Sequence, residues 1–399
     1  MRYRVDKKSG NRLSVLGFGC MRFPRTLGSV DMKRTEELVN RALEGGVNYF
    51  DTAYLYPGSE EALGAILEKS GLREKVYLAT KLPLVLLKGP GDFDRYFNRE
   101  LERLRSGCVD YYLMHMITDT ELWKKLKGWG IEGWIAEKKR EGRIRQIGFS
   151  YHGSQDEFLK LIDDYPWDFC QIQYNYAGEH FQAGRKGLRK AAEKMPVMIM
   201  EPLLGGRLAK GLPAAAAEIF RKARPGLSPA AWALNWLWDQ EEVTLALSGM
   251  GEPDQLEENL RLAGEAQAGM LEDRDREVYR RVLELLNRTS RLACTGCNYC
   301  MPCPKGVNIP GCFASYNASF SIGYVAGMHQ FVTSTGLSAD KKAGPGLCVG
   351  CGECESHCPQ GLPIRKNLKL VRKRMEPLWF RCFAALFRAF LGKGRPAAA

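Results

Sequence analysis

The stretch DMKRTEELVNRALEGGVNYFDT, residues 31–52, joins two different patterns in one short segment. Residues 31–46 have the apolar spacing of an amphipathic helix, and VNYFDT (47–52) is a short run centred on apolar residues. A similar run, SVLGFG (14–19), precedes the stretch. Short runs of this kind are typical of parallel strands that are buried on both faces, so this region predicts a strand–helix–strand unit.

The same alternation continues along the chain to residue 249. Six further runs predict strands, namely VYLATK (76–81), DYYLMH (110–115), IRQIGFS (144–150), CQIQYN (170–175), VMIMEPL (197–203) and TLALSG (244–249). Helical patterns lie between them, as at 94–107 and at 228–240, where Ser228 and Pro229 are a typical N-cap and first helical residue. Eight strands that alternate with helices over about 250 residues predict a (β/α)₈ barrel. A doubly wound sheet is the alternative, and it is disfavoured because no strand is followed by GxGxxG.

Ionisable side chains stand at the carboxyl ends of three predicted strands. Asp51, Lys81 and His115 end the second, third and fourth strands, and Tyr56 follows Asp51 by five residues. In a barrel these groups converge on the mouth where chemistry takes place. An ammonium paired with Asp lowers the pKa of a nearby phenol, so a Tyr there can donate a proton to a carbonyl oxygen that a His also contacts. The alternative is a satisfied ion pair beside a turn tyrosine and a core histidine.

These residues lie in motifs that resemble the aldo/keto reductase family. DTAYLYPGSEEALG (51–64) resembles the segment in which that family's catalytic Asp is followed by its Tyr. VYLATKL and LERLRSGCVDYYLMH resemble the segments with its Lys and its His, and GRIRQIGFS, QIQYN, EPLLGG and SGMGEPDQLEEN follow in family order. The resemblance covers residues 1 to about 262. It implies a reductase of a small-molecule carbonyl substrate that uses NAD(P)H without a Rossmann fold.

The resemblance also implies a role for individual residues. Tyr56 would be the general acid, Lys81 and Asp51 would tune it, and His115 would orient the carbonyl, with Tyr54 as the alternative acid. Cofactor-binding segments are matched by Ser150 and Gln173 at the nicotinamide carboxamide, by Ser248, Gly249 and Met250 in the phosphate-binding turn, and by Gln255, Glu258 and Asn259 on the adenine side.

Three positions depart from the family pattern. Tyr151-His152 stands where an Asn usually follows GFS, and Met200-Glu201 occupies the position of an aromatic residue that stacks on the nicotinamide. The segment SGMGEPDQ has no evident basic residue for a 2′-phosphate, so the choice between NADH and NADPH stays open.

Eight of the thirteen cysteines form two compact runs. The first reads C-x₂-C-x₂-C-x₂-C-P, and the second reads C-x₂-C-x₂-C-x₃-C-P, which is the bacterial ferredoxin pattern. Zinc sites and disulfides are alternatives, but zinc sites of this class use two Cys pairs, whereas each run offers three close cysteines and one Cys-Pro. The predicted ligands of two [4Fe–4S] clusters are Cys294, Cys297, Cys300, Cys303, Cys348, Cys351, Cys354 and Cys358.

The spacing favours crossed ligation of the two clusters. In the ferredoxin pattern the fourth cysteine of a run binds the other cluster, so Cys358 would complete the first run and Cys303 the second. The first run has x₂ where x₃ is usual, which leaves local ligation by four neighbouring cysteines as the alternative.

Together the two parts resemble the iron–sulfur aldo/keto reductases, which carry a C-terminal [4Fe–4S] lobe. Hydride transfer moves two electrons at once whereas each cluster moves one, so three functions stay open. The first is an oxidoreductase whose clusters exchange electrons with the nicotinamide. The second is a carbonyl reductase with structural or redox-sensing clusters, and the third is an electron-transfer protein whose barrel serves mainly for docking.

The positive charge of the chain is concentrated beside the cysteines. The net charge is +12, and residues 285–399 contain 15 Lys and Arg against 4 Asp and Glu. Such cations offset the negative charge of thiolate-ligated clusters and could attract a redox protein partner. Nucleic acid is not expected as a partner because no basic–aromatic groove pattern or known binding module is found.

The domain organisation follows from these patterns. We expect the barrel over residues 1–270, a mainly helical dicluster ferredoxin-like domain over 271–375, and an amphipathic helix and tail over 376–399. That last helix carries an arginine stripe, Arg374, Arg381, Arg388 and Arg395, and it would pack on the protein, dock a partner or lie on a membrane surface.

The composition predicts a folded cytoplasmic protein. With 45% hydrophobic and 10% aromatic residues the chain can fill cores, which excludes disorder as a description of the whole. The N-terminus lacks the apolar segment of a secretory signal, and no apolar stretch is long enough for a transmembrane segment. In a reducing compartment, clustered cysteines bind metal rather than form disulfides.

Overall fold

The computed structural model describes residues 1–289, 291–321, 323–335, 343–378 and 380–381. These residues form two compact units. The first contains Met1–Lys210 and Ala223–Glu277, and the second contains Gly211–Lys222 together with the described residues from Val278 onward. A short segment of the second unit is therefore inserted into the sequence of the first.

The strands of the described residues lie in the first unit. They are β1 (Tyr3–Val5), β2 (Arg12–Ser14), β3 (Leu16–Gly19), β4 (Arg25–Thr26), β5 (Ser29–Val30), β6 (Tyr49–Asp51), β7 (Tyr77–Leu82), β8 (Val109–Ile117), β9 (Ile144–Tyr151), β10 (Phe169–Gln173), β11 (Val197–Met200) and β12 (Leu245–Ser248). Eight of them pair in parallel and close into a barrel in the order β10-β11-β12-β3-β6-β7-β8-β9. The predicted (β/α)₈ barrel is thereby confirmed. The antiparallel hairpins β1–β2 and β4–β5 were not predicted.

Helices follow the barrel strands in the first unit, and further helices make up most of the second unit. They are α1 (Met32–Glu44), α2 (Ser59–Ser70), α3 (Asp92–Leu104), α4 (Thr120–Gly128), α5 (Ile131–Arg140), α6 (Gln155–Leu161), α7 (Gly184–Ala192), α8 (Ala214–Ala223), α9 (Pro229–Trp238), α10 (Pro253–Glu265), α11 (Asp273–Thr289), α12 (Ile309–Ser321), α13 (Tyr324–Thr335), α14 (Glu353–Ser356) and α15 (Ile364–Met375). As predicted, Ser228 caps α9, because its hydroxyl accepts a hydrogen bond from the Ala231 N–H at 3.0 Å. Of the helices in the described residues, none has the length and apolarity needed to cross a membrane.

Alternate residues of the barrel strands point inward and fill the barrel. The interior cluster consists of Leu13, Tyr49, Ala79, Tyr111, Leu113, Phe169, Met198, Leu245 and Leu247. Gly148 leaves room for the Phe169 ring, since a Cβ at position 148 would lie 2.6 Å from ring carbons. Because side chains alternate along a strand, the residues two positions after Tyr49, Ala79 and Leu113 also face the interior. Those residues are Asp51, Lys81 and His115, which reach the C-terminal end of the barrel.

The β1–β2 hairpin closes the opposite end of the barrel. Leu13 packs in the interior cluster, and the Tyr111 hydroxyl donates a hydrogen bond to Asp6 Oδ2 at 2.8 Å. The side-chain amide of Asn11 donates to the same hydroxyl at 3.0 Å. The hairpin is thus tied to the barrel by an apolar plug and two hydrogen bonds.

The second unit has its own core. Phe313 of α12, Phe331 of α13 and Leu368 of α15 meet in one apolar cluster, and cysteines of both runs border it. Asn317 of α12 fixes the chain that enters the first run, because it accepts hydrogen bonds from the Arg291 and Leu292 N–H groups and donates to the Leu292 carbonyl. The unit is mainly helical, as predicted.

The C-terminal segment is described only in part. Of residues 376–399, the structure describes 376–378 and 380–381. The rest of the predicted amphipathic helix, with Arg388 and Arg395 of its arginine stripe, lies outside the described residues.

Two carboxyl groups are buried between helices α2 and α3 and the barrel wall. Glu60 Oε1 accepts a hydrogen bond from the Thr80 hydroxyl at 2.6 Å, and Glu100 Oε2 accepts one from the Tyr112 hydroxyl at 2.7 Å. Burial raises the pKa of Glu100 well above its ordinary value, and the nearby Glu60 carboxylate raises it further. Both effects favour the protonated form of Glu100.

We predict that Glu100→Gln becomes progressively more stable than the wild type as the pH rises from 5 to 8. In the unfolded chain Glu100 loses its proton above its ordinary pKa of about 4.3, while the folded protein retains it. The wild type therefore loses up to about 1.4 kcal/mol of unfolding free energy per pH unit, whereas the amide has no proton to lose. Thermal unfolding followed by circular dichroism at both pH values measures the difference.

Glu121→Gln is the matched control, since Glu121 is an exposed carboxylate on α4. Its difference in unfolding temperature from the wild type is expected to stay constant with pH. A constant difference for Glu100→Gln as well would mean that Glu100 is ionised in the folded protein.

Candidate active site

Lys81 and Asp51 form an ion pair at the C-terminal end of the barrel. The Lys81 ammonium donates to Asp51 Oδ1 at 2.7 Å and to the Thr52 carbonyl oxygen at 2.6 Å. The two side chains are 1% and 4% exposed. Burial raises the pKa of the Asp51 carboxyl, and the charge of Lys81 opposes this shift. The second carboxylate oxygen of Asp51 has no hydrogen-bond partner among the described residues.

Tyr56 lies beside this pair. The ammonium nitrogen of Lys81 is 5.0 Å from the centroid of the Tyr56 ring, and that ring meets the His115 ring edge-on with the centroids 6.0 Å apart. Two turns fix the loop that carries Tyr56. The Tyr56 N–H donates to the Ala53 carbonyl, and the Ser59 N–H donates to the Tyr56 carbonyl. The structure therefore brings the four residues singled out at the strand ends together in space.

Tyr54 occupies a different environment. Its ring packs edge-on against Tyr96 of α3, with the centroids 4.9 Å apart. The guanidinium of Arg103, also on α3, lies 4.3 Å from the centre of the Tyr54 ring. Tyr54 is thus engaged with helix α3, whereas Tyr56 lies beside Lys81 and His115.

His115 is held as a neutral imidazole. It is 2% exposed, and burial lowers the pKa of His115 well below its ordinary value, with smaller contributions from the charges of Lys81 and His152. A neutral imidazole can donate a hydrogen bond without giving up a proton. The phenol of Tyr56 is the adjacent hydroxyl group.

A break in the strand pairing follows His115. The pairing between β8 and β9 shifts register between Met114 and Ile117, and Met116 adopts a left-handed conformation with φ of 63°. The Met116 N–H donates to the Ser150 hydroxyl at 2.8 Å. Ser150 thus connects the end of β9 to the backbone beside His115, and its own hydroxyl proton can still be donated to a ligand.

The remaining nicotinamide-side residues also lie at strand ends. Gln173 ends β10 and is 3% exposed, so the alternation of the strand turns its side chain inward. His152 follows β9, and its Nδ1 lies 3.5 Å from the amide nitrogen of Gln182. His152 is also close enough to His115 to affect its pKa, a proximity that no local sequence pattern predicts.

The predicted phosphate-binding turn connects β12 to α10. The hydroxyl of Ser248 accepts a hydrogen bond from the Asn259 side-chain amide at 3.1 Å, Gly249 is exposed and Met250 is buried. Gln255 and Glu258 are partly exposed on α10. Asn259 therefore holds the turn to the helix, and Gly249 is exposed three residues before Glu252, the N-cap of α10.

Arg22 is a basic residue beside this turn that the sequence analysis missed. It follows β3, and a Cβ placed on Gly249 would lie 3.1 Å from the Arg22 Cβ and 3.2 Å from its Cδ. The only sequence signal was a basic residue just after the first barrel strand, since Arg22 and Gly249 lie at opposite ends of the barrel sequence.

Glu201 occupies the position where the family commonly has an aromatic residue. It adopts a left-handed conformation with φ of 55°, and its carbonyl oxygen accepts a hydrogen bond from the Asn175 amide at 3.1 Å. Burial raises the pKa of Glu201, which the charge of Arg22 and the Gly205 N–H oppose. A buried carboxyl group therefore lies next to Met200, in the pair expected at the aromatic position, and near Arg22.

The cysteine runs are interleaved in the second unit. Burial raises the pKa of the Cys300 thiol to about 12, with further contributions from Cys297, Cys294 and Cys358. Burial likewise raises the pKa of Cys354 to about 11, and besides Glu355 the contributors are Cys348, Cys303 and Cys351. The structure therefore brings Cys358 near the first run and Cys303 near the second.

The described cysteines do not form a ready-made site for a single metal ion. Among the described residues, no three His, Cys, Asp or Glu side chains are placed to ligate one ion. The preference for an iron–sulfur cluster over zinc rests on the order and spacing of the cysteines along the chain, which follow the ferredoxin pattern. Cys20 and Cys312, outside the runs, are buried in apolar cores.

Comparison with known proteins identifies the barrel. Residues 15–267, more than half of the chain, match the aldo/keto reductase family. The chain belongs to the aldo/keto reductase family. Residues 293–364 match the 4Fe-4S dicluster domain, so this family member carries an iron–sulfur domain at its C-terminal end.

Individual relatives agree with this assignment. An aldo-keto reductase of Mycobacterium sp. (strain MCS) is 31% identical over 259 residues, which cover 64% of this chain and 83% of that protein. The aldo-keto reductase yakc [NADP(+)] of Schizosaccharomyces pombe is 25% identical over 208 residues, and the match spans 49% of this chain and 59% of that protein. The chain thus spans less than two thirds of the length of the yeast relative.

A solved structure shows the same fold. An aldo-keto reductase from Bacillus halodurans, in its holo form, superposes with a TM-score of 0.58 at 24% sequence identity. The superposition covers 71% of this chain and 96% of the Bacillus protein.

We predict that the His115 imidazole does not gain a proton between pH 8 and pH 6. Burial and the charge of Lys81 hold its pKa well below the ordinary range, and His152→Asn should raise that pKa because a neighbouring charge is removed. Nitrogen-15 NMR of the imidazoles, assigned with His115→Gln, measures both effects. His180→Asn is the control, since His180 is exposed, and titration of His115 near pH 6.5 would contradict the account.

Proposed function

We propose that this protein reduces a small-molecule carbonyl compound with NAD(P)H at the mouth of the barrel, and that its C-terminal unit carries two [4Fe–4S] clusters that exchange single electrons with a redox partner. The observation that supports the first part is the convergence of Asp51, Tyr56, Lys81 and His115 around one point. The interleaving of the two cysteine runs supports the second part.

The proton chemistry is assigned to Tyr56. The nearby Lys81 ammonium favours the phenolate form, so the hydroxyl can donate a proton to the carbonyl oxygen as that oxygen gains charge. Neutral His115 donates a hydrogen bond to the same oxygen and sets its orientation. Asp51 keeps Lys81 charged and fixed in place. Reduction consumes one hydride and this one proton, and Tyr56 regains its proton from water.

The residues at the phosphate end fit a dinucleotide. The Gly249 backbone and the guanidinium of Arg22 would hold the diphosphate, and Gln173 and Ser150 would hold the carboxamide. A nicotinamide bound there supplies the hydride. Glu201 cannot stack on the ring as an aromatic residue would, so binding energy has to come mainly from the phosphate and carboxamide contacts.

Tyr56→Phe is expected to lower the rate of carbonyl reduction by about 100- to 10,000-fold, the usual contribution of a general acid. Binding of NADPH, followed by fluorescence, and the cluster absorption should stay unchanged because the ring remains. Tyr54→Phe is the control and should keep most of the activity. Comparable losses in the two variants would reject Tyr56 as the acid.

Arg22→Gln is expected to weaken NADPH binding by roughly tenfold, the loss of about 1.4 kcal/mol from one charge-assisted contact. Arg140→Gln is the control, because Arg140 is an exposed residue at the C-terminal end of α5. This change should leave the dissociation constant for NADPH unaltered. Equal affinities of the Arg22 variant and the wild type would remove Arg22 from the cofactor site.

The cluster ligands are assigned by the same crossed arrangement that the spacing favours. Cys294, Cys297, Cys300 and Cys358 would hold one cluster, and Cys348, Cys351, Cys354 and Cys303 the other. Thiolate ligation would deprotonate these residues, which overcomes the raised thiol pKa values that burial causes without iron.

Cys358→Ser should perturb the same cluster as Cys300→Ser, and Cys303→Ser should perturb the same cluster as Cys354→Ser. Electron paramagnetic resonance of the reduced proteins, with iron counted per chain, distinguishes the two groups. Local ligation predicts the opposite pairing, in which Cys303→Ser behaves like Cys300→Ser.

An electron-transfer protein whose barrel serves mainly for docking is the second candidate. It is favoured by Cys351, the one exposed cysteine among the eight in the runs. In that case Tyr56→Phe would transfer electrons at the same rate as the wild type. The wild type would reduce no carbonyl substrate.

A further inference from the structure

The exposed face of α15 carries a stripe of lysines. Lys366, Lys369 and Lys373 lie at spacings of three and four residues, which places them on one side of the helix over about 10 Å. All three are exposed, and Leu370 between them is 43% exposed. The opposite side of the helix, with Leu368 and Val371, is buried in the core of the second unit. We call this exposed face the lysine stripe.

The lysine stripe differs from the arginines on the same helix. Arg365 forms an ion pair with Glu355 at 2.7 Å, and Arg372 forms one with Glu376 at 3.7 Å. None of the three lysines has an ion-pair partner among the described residues. Their charges are therefore available to a second molecule.

The arginines place the stripe beside the second cysteine run. A Cβ on Gly352 would lie 3.4 Å from the Arg365 guanidinium carbon, and a Cβ on Gly346 would lie 3.6 Å from Arg372 Nε. The run itself is open to solvent, since Cys351 is exposed and Val349, two residues before Cys351, is 64% exposed. An apolar contact, an exposed cluster ligand and a row of cations thus lie on neighbouring surfaces of one unit.

We propose that an acidic one-electron carrier protein docks on the lysine stripe and on Val349, and that electrons pass through the cluster of the second run. This inference rests on the proposed function of that run as a cluster site. Carboxylates of the carrier would pair with Lys366, Lys369 and Lys373, and Val349 and Leu370 would supply apolar contact. The exchange is balanced, because one electron leaves the carrier as the cluster is reduced by one electron, or the reverse.

The positive charge of the lysine stripe is complementary to an acidic partner. Electrostatic attraction of this kind raises association rates above those of neutral pairs and falls with salt. Electron-transfer complexes bury small areas, so a surface of three lysines and two apolar residues is large enough for a transient complex. Arg365 also lies at the cluster loop, but its charge is already paired with Glu355, so among the described residues the unpaired cations beside the second run are those of the lysine stripe.

The test uses the full-length protein with its clusters and a plant-type [2Fe–2S] ferredoxin, an acidic carrier, as the probe. Stopped-flow absorption gives the second-order rate constant of electron exchange in the downhill direction at low and high salt. Lys366→Glu/Lys369→Glu/Lys373→Glu should lower that constant by about tenfold or more at low salt and remove its dependence on salt.

The matched control is Lys33→Glu/Lys124→Glu/Lys186→Glu, which changes the net charge by the same amount at three exposed lysines of the barrel unit. Both variants should be reduced by dithionite at the wild-type rate, which shows that the clusters are intact. An equal loss in the control would overturn the proposal in favour of net charge alone. An unchanged rate with the α15 variant would also overturn it.

Two further outcomes separate this inference from others. Loss of retention on phosphatidylglycerol vesicles by the α15 variant, with unchanged electron exchange, would overturn the proposal in favour of a membrane surface. Carbonyl reduction by NADPH should be unaffected in the α15 variant. Tyr56→Phe should keep its electron exchange with ferredoxin, so failure of the barrel chemistry is distinguishable from failure of the docking site.

Discussion

The ion pair between Lys81 and Asp51 is the interaction on which the barrel mouth depends. Removing two charges from water is costly, and one Coulombic contact seldom offsets it without further hydrogen bonds. Here the Thr52 carbonyl accepts a second hydrogen bond from the ammonium, and the barrel walls hold all three groups in place. The ammonium then lies at 5.0 Å from the ring of Tyr56, and its charge helps to keep His115 neutral. One buried cation therefore lies beside both neighbours, and its charge adds to the effect of burial on His115.

The closed barrel makes this pair possible. Tyr49, Ala79 and Leu113 fill the interior, and the next inward positions on the same strands carry Asp51, Lys81 and His115. A shift of one residue in any of these strands would turn the ionisable side chain outward, because side chains alternate between the two faces. The β1–β2 hairpin anchors the other end through Leu13 and Tyr111, and so the packing that supports the chemistry begins far from it in the barrel.

Much of this arrangement could be predicted from the sequence because it follows local rules. Apolar runs located the eight barrel strands, Ser228 and Pro229 marked the start of α9, and the spacing of the cysteines identified an iron–sulfur domain. The short hairpins β1–β2 and β4–β5 escaped prediction because strands of only two or three residues are too short to show a periodic pattern. The proximity of Arg22 to Gly249 and of His152 to His115 also escaped, since each depends on barrel closure, which no local pattern encodes. The sites themselves remain predictions that the tests above address.

The proposed function combines hydride transfer in the barrel with one-electron transfer at the clusters, and an electron path that joins the two can be tested. The most direct measurement is anaerobic: the clusters are reduced with dithionite, the excess is removed, and NAD⁺ or NADP⁺ is added. The absorbance of the clusters and of the reduced nicotinamide is followed together. If an electron path joins the clusters to the nicotinamide, cluster reoxidation and nicotinamide reduction proceed in step, with two cluster electrons consumed per nicotinamide reduced. Clusters that stay reduced in the presence of both cofactors would contradict it.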